Sequence, residues 1–199
     1  MHKTYRLAAC AAVLAAPLAF ASAAQAELAN DTWVEGGLVL YPSVGNQDFI
    51  GPEVRGRVAV AEDWFVLGGL QYLTDDIDLT TAHVGAAYRF PRLAQPDLEF
   101  WAAPTLEYNH WEFRTRRADG TRRTGSESDL ALGARGGIRY ALDEAIEFSG
   151  ELRLVTGDLD YIGLAGQMNY ALDRNLDVYG RLDSFDGELG LGGGVRFSF

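Results

Sequence analysis

The chain has 199 residues and a formal net charge of −11, with 17 Lys and Arg residues against 28 Asp and Glu residues. Binding to nucleic acid needs a basic surface that displaces counterions, so we expect no nucleic-acid partner. Cys10 is the single cysteine, which excludes an internal disulfide and a multi-thiolate metal site. We expect neither a metal ion nor a cofactor.

The N-terminus has the organisation of a secretory signal peptide. Lys3 and Arg6 precede an apolar run over residues 7–20, and an Ala-Gln-Ala cleavage sequence ends at residue 26. Lipoprotein cleavage at Cys10 is the weaker alternative, because only three apolar residues directly precede that cysteine. We predict that residues 1–26 are removed.

The remaining chain, residues 27–199, alternates apolar and polar residues. It has no run of about 18 apolar residues, so we expect no membrane-spanning helix. Alternation with a period of two is typical of β-strands. It marks segments at residues 32–41, 52–61, 64–73, 77–90, 98–111, 128–142, 145–156, 159–172, 175–184 and 188–199. The pattern predicts an all-β fold: one antiparallel up-and-down transmembrane β-barrel of about ten strands, or about eight if one pair of segments is loop.

Aromatic residues recur on the apolar face near the segment ends. Trp64 and Tyr72 are eight positions apart, a reach of roughly 26 Å along a strand. That reach is close to the height of the apolar band between the aromatic girdles of a membrane barrel. Pro104 lacks an N–H, so it predicts a local interruption of strand pairing in the fifth segment. The predicted girdle comprises Trp64, Tyr72, Tyr88, Phe90, Phe100, Tyr108, Tyr140, Phe148, Tyr170, Phe197 and Phe199.

The opposite face of the same segments carries acidic and basic residues in nearly equal number, and in a barrel this face lines the lumen. The lumen of a barrel of about ten strands is narrow, so we expect these residues to form ion pairs that fill it. The alternative is a narrow aqueous pore that acts as a passive channel. The predicted lumen network comprises Glu35, Glu53, Arg55, Arg57, Arg89, Glu99, Glu107, Asp129, Arg135, Arg139, Glu147, Glu151, Arg153, Asp177, Arg181, Asp183, Glu188 and Arg196.

The longest polar connection, residues 112–127, contains a cluster of arginines around a predicted turn. Guanidinium groups bind phosphate oxygens in a bidentate manner, so this loop is a candidate site for the phosphates of lipopolysaccharide. The alternative is a solvated loop without a ligand. The cluster consists of Arg114, Arg116, Arg117, Arg122 and Arg123.

His110 lies near the outer end of the fifth segment, among predicted rim carboxylates. An outer-membrane hydrolase needs a histidine paired with a nucleophile or an acid at this rim. The sequence shows no nucleophile motif beside His110, and we expect the chain to be too short for strands that rise far above a membrane. We therefore assign no catalytic residue and expect a protein that is not an enzyme, with a rim hydrolase as a less favoured alternative.

The last segment alternates outward Leu189, Leu191 and Val195 with inward glycines and ends on Phe199. This terminal strand, the opening Val-Glu-Gly-Gly at residues 34–37 and the Asp-containing turns after several strand ends resemble the OmpA/OmpX-like superfamily of small outer-membrane barrels. Within it, the chain most resembles the short, diffusible-signal-regulated barrels of Gram-negative bacteria.

The resemblance implies an integral protein of the bacterial outer membrane, and it provides no catalytic residues to carry over. We expect this protein to act in envelope integrity or surface interaction through its extracellular loops, with outer-membrane lipid and lipopolysaccharide as partners. The final Phe199, preceded by apolar residues at every second position, also resembles the C-terminal signal of outer-membrane barrels, so we expect recognition of the last strand by the barrel-assembly machinery.

Overall fold

The computed structural model of the protein describes residues 31–44, 47–75, 77–91, 97–116, 122–157 and 160–199. The predicted signal peptide, residues 1–26, lies outside the described residues and stays a prediction. No helix in the described part of the chain is long and apolar enough to cross a membrane.

Ten strands form one closed antiparallel barrel, in which each strand pairs with its neighbours in sequence and the first pairs with the last. The fold is therefore the predicted up-and-down barrel, and the eight-strand alternative is wrong. The strands are β1 Trp33–Val44, β2 Gln47–Ala61, β3 Trp64–Thr74, β4 Ile77–Arg89, β5 Leu98–Arg116, β6 Arg122–Ala141, β7 Ile146–Thr156, β8 Tyr161–Asp173, β9 Leu176–Phe185 and β10 Glu188–Ser198.

Side chains alternate between the lumen and the outside along each strand. In β6, Leu130 and Leu132 are 71% and 68% exposed, whereas Ala131 between them is 4% exposed. The outside therefore carries a band of exposed apolar side chains, and the lumen contains the buried polar ones. This arrangement is the reverse of a water-soluble barrel and is typical of membrane barrels.

The two ends of the barrel differ. The start of β1 and the end of β10 lie at one end, called the terminal end here, where the backbone N–H of Phe199 donates to the carbonyl of Thr32 at 3.0 Å. The opposite end is called the hairpin end. There, Asp186 and Gly187 join β9 to β10 with φ angles of 48° and 87°, as a tight two-residue hairpin turn requires.

The β5–β6 hairpin is longer than the sequence pattern predicts. The predicted loop at residues 112–127 is largely strand, because paired residues continue to Arg116 opposite Arg122. β5 contains 19 residues, about 60 Å of chain at about 3.3 Å per residue, well beyond an apolar band about 25 Å tall. The expectation that the chain is too short for a rising hairpin is therefore wrong at this position. Hydrophobic alternation could not reveal the extension, since a hairpin in water is polar on both faces.

Pro104 interrupts pairing on one side of β5, as predicted. Pairing between β4 and β5 stops after Gly85 and Thr105 and resumes at Tyr88 and Ala102 in the same register. On the other side, Pro104 stays in register opposite Ala134. The missing donor thus creates a gap in one ladder without a change of register.

Candidate functional site in the lumen and on the outer hairpin

Five charged residues at the terminal end form what we call the terminal cluster. Asp31 accepts from Arg57 at 2.9 Å, from Arg139 at 3.0 Å and also from Arg89. Glu99 binds Arg57 and Arg89, each at 2.8 Å. The cluster joins the segment before β1 to β2, β4, β5 and β6, so it crosses the lumen rather than following neighbouring strands.

A second group of polar residues lies next to the terminal cluster and is centred on Glu35. Glu35 is 2% exposed, binds Arg55, and accepts from Arg196 and from the Gln167 side-chain amide, both at 3.0 Å. Glu147 accepts from Arg196 at 3.0 Å. A buried carboxylate loses its hydration, so it requires several charged or amide donors of this kind.

Two further ion-pair groups follow toward the hairpin end, and the first is centred on Arg135. Its guanidinium donates to both carboxylate oxygens of Glu107, at 2.9 and 3.0 Å, and to Glu151 at 3.1 Å. This bidentate geometry fixes the orientation of both partners.

The second of these groups is centred on Asp183, which is 3% exposed. Asp183 binds Arg153 and accepts from the Arg181 Nε at 2.9 Å. Glu53 lies nearby: its Oε1 is 3.5 Å from the Tyr179 hydroxyl, and its Oε2 is 3.7 Å from the Arg55 Nε. Buried acids and bases therefore alternate across the middle of the lumen.

Buried apolar side chains pack together inside the barrel toward the hairpin end. These residues, called the apolar plug here, are Val39, Tyr41, Phe49, Leu73 and Leu79, all between 2% and 6% exposed. Ile77, Trp111 and Phe185 pack against them. The ring of Tyr41 lies over Gly190, where a Cβ would come within 2.6 Å of it, so the glycine gives the plug room to pack against β10.

Among the described residues, the lumen contains a cavity of about 80 Å³ and another of about 30 Å³. The larger one is lined by Arg57 and Arg139 of the terminal cluster, and the smaller one by Phe185 beneath the apolar plug. Arg55, His83 and Arg181 line both cavities. We call these three residues the central partition, because their side chains separate the two spaces.

Three predicted lumen residues take no part in this network. Asp129, Asp177 and Glu188 occupy inward positions of their strands, but no ion pair joins them to another residue in the described part of the chain. Asp177 lies opposite Arg196 in the strand register, where the Arg196 charge acts on its carboxyl group without forming an ion pair. All other predicted lumen residues form at least one ion pair there.

Sequence reasoning missed several residues of the lumen. Asp31 precedes the first predicted segment, so alternation did not reach it, and the uncharged Gln167 carried no charge signal. Aromatic rings also line the lumen: the Arg57 guanidinium lies 3.5 Å from the ring centre of Phe65, and that of Arg196 lies 4.3 Å from Trp33. Trp33 and Phe65 occupy inward positions in the alternation, so the pattern is consistent with rings in the lumen, but the predicted network contained charged residues only.

The predicted girdle residues lie on the outside, and most are at the terminal end. Neighbouring rings pack there in pairs, with centroid distances of 5.1 Å for Trp64 and Tyr88 and 5.1 Å for Phe197 and Phe199. The hairpin end carries Tyr72 and Tyr108, each 41% exposed. The girdle positions at the terminal end are Trp64, Tyr88, Phe90, Phe100, Tyr140, Phe148, Tyr170, Phe197 and Phe199.

The predicted arginine cluster surrounds the tip of the β5–β6 hairpin. Arg114 and Arg116 belong to β5, and Arg122 and Arg123 belong to β6. Their side chains and the whole of Arg117 lie outside the described residues. Their role in phosphate binding therefore stays a prediction.

On the outer face of this hairpin, the structure brings His110 to a serine that the sequence did not reveal. His110 lies directly opposite Ser128 in the β5–β6 register, and its Nδ1 is 2.7 Å from the Ser128 Oγ. The sequence has no nucleophile motif beside His110, so this contact was not predicted. The two residues belong to different strands, and only the register of the hairpin, which the sequence pattern did not define, places them together.

Solved structures of small outer-membrane β-barrels are similar to this chain. The KdgM porin has a TM-score of 0.48 and 14% identity, covering 83% of this chain and 99% of that chain. Neisserial surface protein A has a TM-score of 0.46 and 14% identity, covering 84% and 97%. Ail, the attachment invasion locus protein of Yersinia pestis, has a TM-score of 0.45 and 14% identity, covering 84% and 97%. No family model and no curated protein sequence matches the chain. The function proposed below therefore rests on this chain's own residues.

Proposed function

We propose that the protein is an integral outer-membrane barrel with a closed, charge-filled lumen, which acts in envelope integrity or surface interaction through its β5–β6 hairpin. The observation that carries this proposal is the filling of the lumen. Ion-pair groups cross it from the terminal end to the middle, and the apolar plug lies across it at the hairpin end. A barrel filled in this way anchors and supports its external parts.

The outer surface supports the membrane location. Exposed apolar side chains cover the middle of the strands, including Leu164, Leu182 and Leu191, which are 59%, 62% and 54% exposed. Such a surface is unfavourable in water and favourable in lipid. The alternating C-terminal strand and its final Phe199 support recognition by the barrel-assembly machinery during insertion.

Cysteine labelling on intact cells tests the orientation and the external role of the hairpin. Gly125→Cys places a thiol in β6 beside the hairpin tip, where an added Cβ meets nothing within 4 Å among the described residues. Glu144→Cys is the matched control, in the exposed turn at the terminal end. A membrane-impermeant maleimide should label the first variant on intact cells and the second only after the outer membrane is permeabilised. The reverse pattern would contradict the proposal.

Lipopolysaccharide binding tests the proposed role of the arginine cluster. We expect replacement of its five arginines by glutamine to reduce binding of the folded protein to lipopolysaccharide at least about tenfold, since charge-assisted bonds to phosphate are lost. The matched control is Arg174→Gln, in an exposed turn at the terminal end. Equal binding by the cluster variant and the control would rule out the cluster as a lipopolysaccharide site.

A narrow passive channel is the second candidate function, and the two stacked cavities favour it. Both are lined by charged side chains, and their volumes of about 80 and 30 Å³ exceed the ~15 Å³ that one water molecule needs. Conduction would require movement of both the central partition and the apolar plug. Recording the ion conductance of single barrels in a lipid bilayer therefore distinguishes the closed barrel from the passive channel.

A further inference from the structure

On the outer face of the β5–β6 hairpin, a serine, a histidine and a carboxylate lie side by side, with the histidine between the other two. The Ser128 Oγ is 2.7 Å from the His110 Nδ1, and the His110 Nε2 is 3.5 Å from the Glu112 Oε1. One ring nitrogen therefore faces a hydroxyl and the other faces an acid. Roles in a catalytic triad are recognised by this geometry and not by sequence order. We propose that this site is a serine esterase that hydrolyses acyl esters of membrane lipids.

The hairpin holds the three groups in place. His110 and Ser128 are directly opposite each other, and Glu112 follows His110 by two residues on the same face. The Tyr108 ring is stacked parallel to the imidazole, with 6.4 Å between centroids and 4° between planes, and its hydroxyl lies 3.5 Å from the Ser128 Oγ. A site on paired strands keeps its geometry better than one on a loop.

The site lies at the edge of the exposed apolar band that is nearer the hairpin end. Leu130 is opposite Tyr108 and Leu132 is opposite Leu106, and these leucines are 71%, 68% and 49% exposed in that order. Aromatic girdles mark the level where lipid headgroups meet acyl chains. An acyl chain lying along the leucines would place its ester carbonyl beside Ser128. This substrate class follows from the membrane location proposed above.

The groups present are sufficient for acyl transfer to serine and then to water. The Ser128 Oγ attacks the ester carbonyl carbon while His110 takes the hydroxyl proton. The acyl–oxygen bond then breaks, and His110 returns that proton to the departing alcohol, which is the deacylated lipid. Water then attacks the acyl carbon while His110 takes a proton from it, the bond between that carbon and the Ser128 Oγ breaks, and His110 returns the proton to Oγ, which releases a fatty acid and restores Ser128. Glu112 is a positioning residue, because it stabilises the imidazolium and holds the ring.

Active-site labelling tests the nucleophile in detergent, where neither the membrane location nor the state of the lumen affects the result. The full-length folded protein should react with a fluorophosphonate at Ser128. Ser128→Ala and His110→Ala should reduce the labelling at least about 100-fold, since the hydroxyl or its base is lost. Ser126→Ala, on the same face opposite Glu112, is the matched control and should label normally. Absence of labelling at Ser128 in the folded wild type would overturn the proposal, even if the labelling of hairpin cysteines on intact cells supports the barrel.

Fatty-acid release identifies the substrate and the role of Glu112. The wild-type protein is mixed in one arm with dioleoyl phosphatidylethanolamine vesicles and in the other with purified lipopolysaccharide. We expect release in at least one arm and a loss of about 1,000-fold or more in Ser128→Ala. Glu112→Gln should lower kcat about tenfold and leave KM nearly unchanged, because the amide no longer stabilises the imidazolium that forms during the reaction while the lipid contacts stay in place. No release in either arm, or equal release by Ser128→Ala, would overturn the esterase.

Discussion

The two ends of the lumen are filled by different chemistry. At the terminal end, Asp31 and Glu99 are bound by arginines from β2, β4 and β6. At the hairpin end, the apolar plug packs side chains from β1, β2, β3 and β4. Ion pairs depend on specific geometry and therefore fix which strands face each other. Apolar packing is less directional, and it excludes water. We infer that the terminal end fixes the arrangement of the barrel and that the hairpin end seals it.

The largest expected effect comes from removing a buried acid of the ion-pair network. Glu35→Ala leaves Arg55 and Arg196 without their shared carboxylate, and loss of one partner of a buried pair costs about 3–5 kcal/mol. We expect a matching fall in the free energy of unfolding, measured by urea titration in lipid vesicles with the electrophoretic mobility shift as readout. Glu62→Ala, in an exposed turn at the terminal end, is the control and should change little. Equal stability of the two variants would contradict a structural role for the network.

A somewhat smaller effect is expected in the apolar plug. Leu79→Ala removes a side chain that is 5% exposed, and such truncations cost about 2–4 kcal/mol through lost burial and a residual cavity. The same unfolding titration measures the change. A loss below about 1 kcal/mol would mean that the plug is loosely packed. Its other side chains could then move into the space that Leu79 leaves and keep most of their contacts.

The smallest of the three effects is expected in the terminal cluster. Asp31→Asn keeps the shape of the side chain but removes the charge that binds three arginines. Its side chain is 13% exposed, so water compensates part of the loss, and we expect about 1–3 kcal/mol. Asp177→Asn is the matched control, because no ion pair joins Asp177 to another described residue. A larger loss for Asp177→Asn than for Asp31→Asn would contradict the assigned cluster.

Strand parity could be read from the sequence, because lipid and lumen impose opposite chemistry on successive residues. That parity placed Glu35, Arg135 and Asp183 correctly on the inner face. It could not give their height along the barrel, which depends on how the strands are staggered when the barrel closes. The apolar plug and the contact between His110 and Ser128 both depend on that stagger and on hairpin register. The alternation could not predict a place in the lumen for Asp31, because Asp31 lies before β1 and belongs to no strand.

Recording single barrels in a planar lipid bilayer tests the closed lumen most directly. The insertion of each sample is verified by its heat-modifiable electrophoretic mobility. A variant that combines Leu73→Ser and Leu79→Ser in the apolar plug with Arg55→Ala and Arg181→Ala in the central partition shows whether the assay detects an opened barrel. The account predicts no conductance steps for the wild-type protein and discrete steps for this opened variant. Steady ion conductance through the wild-type barrel would contradict the closed lumen and establish the narrow channel instead.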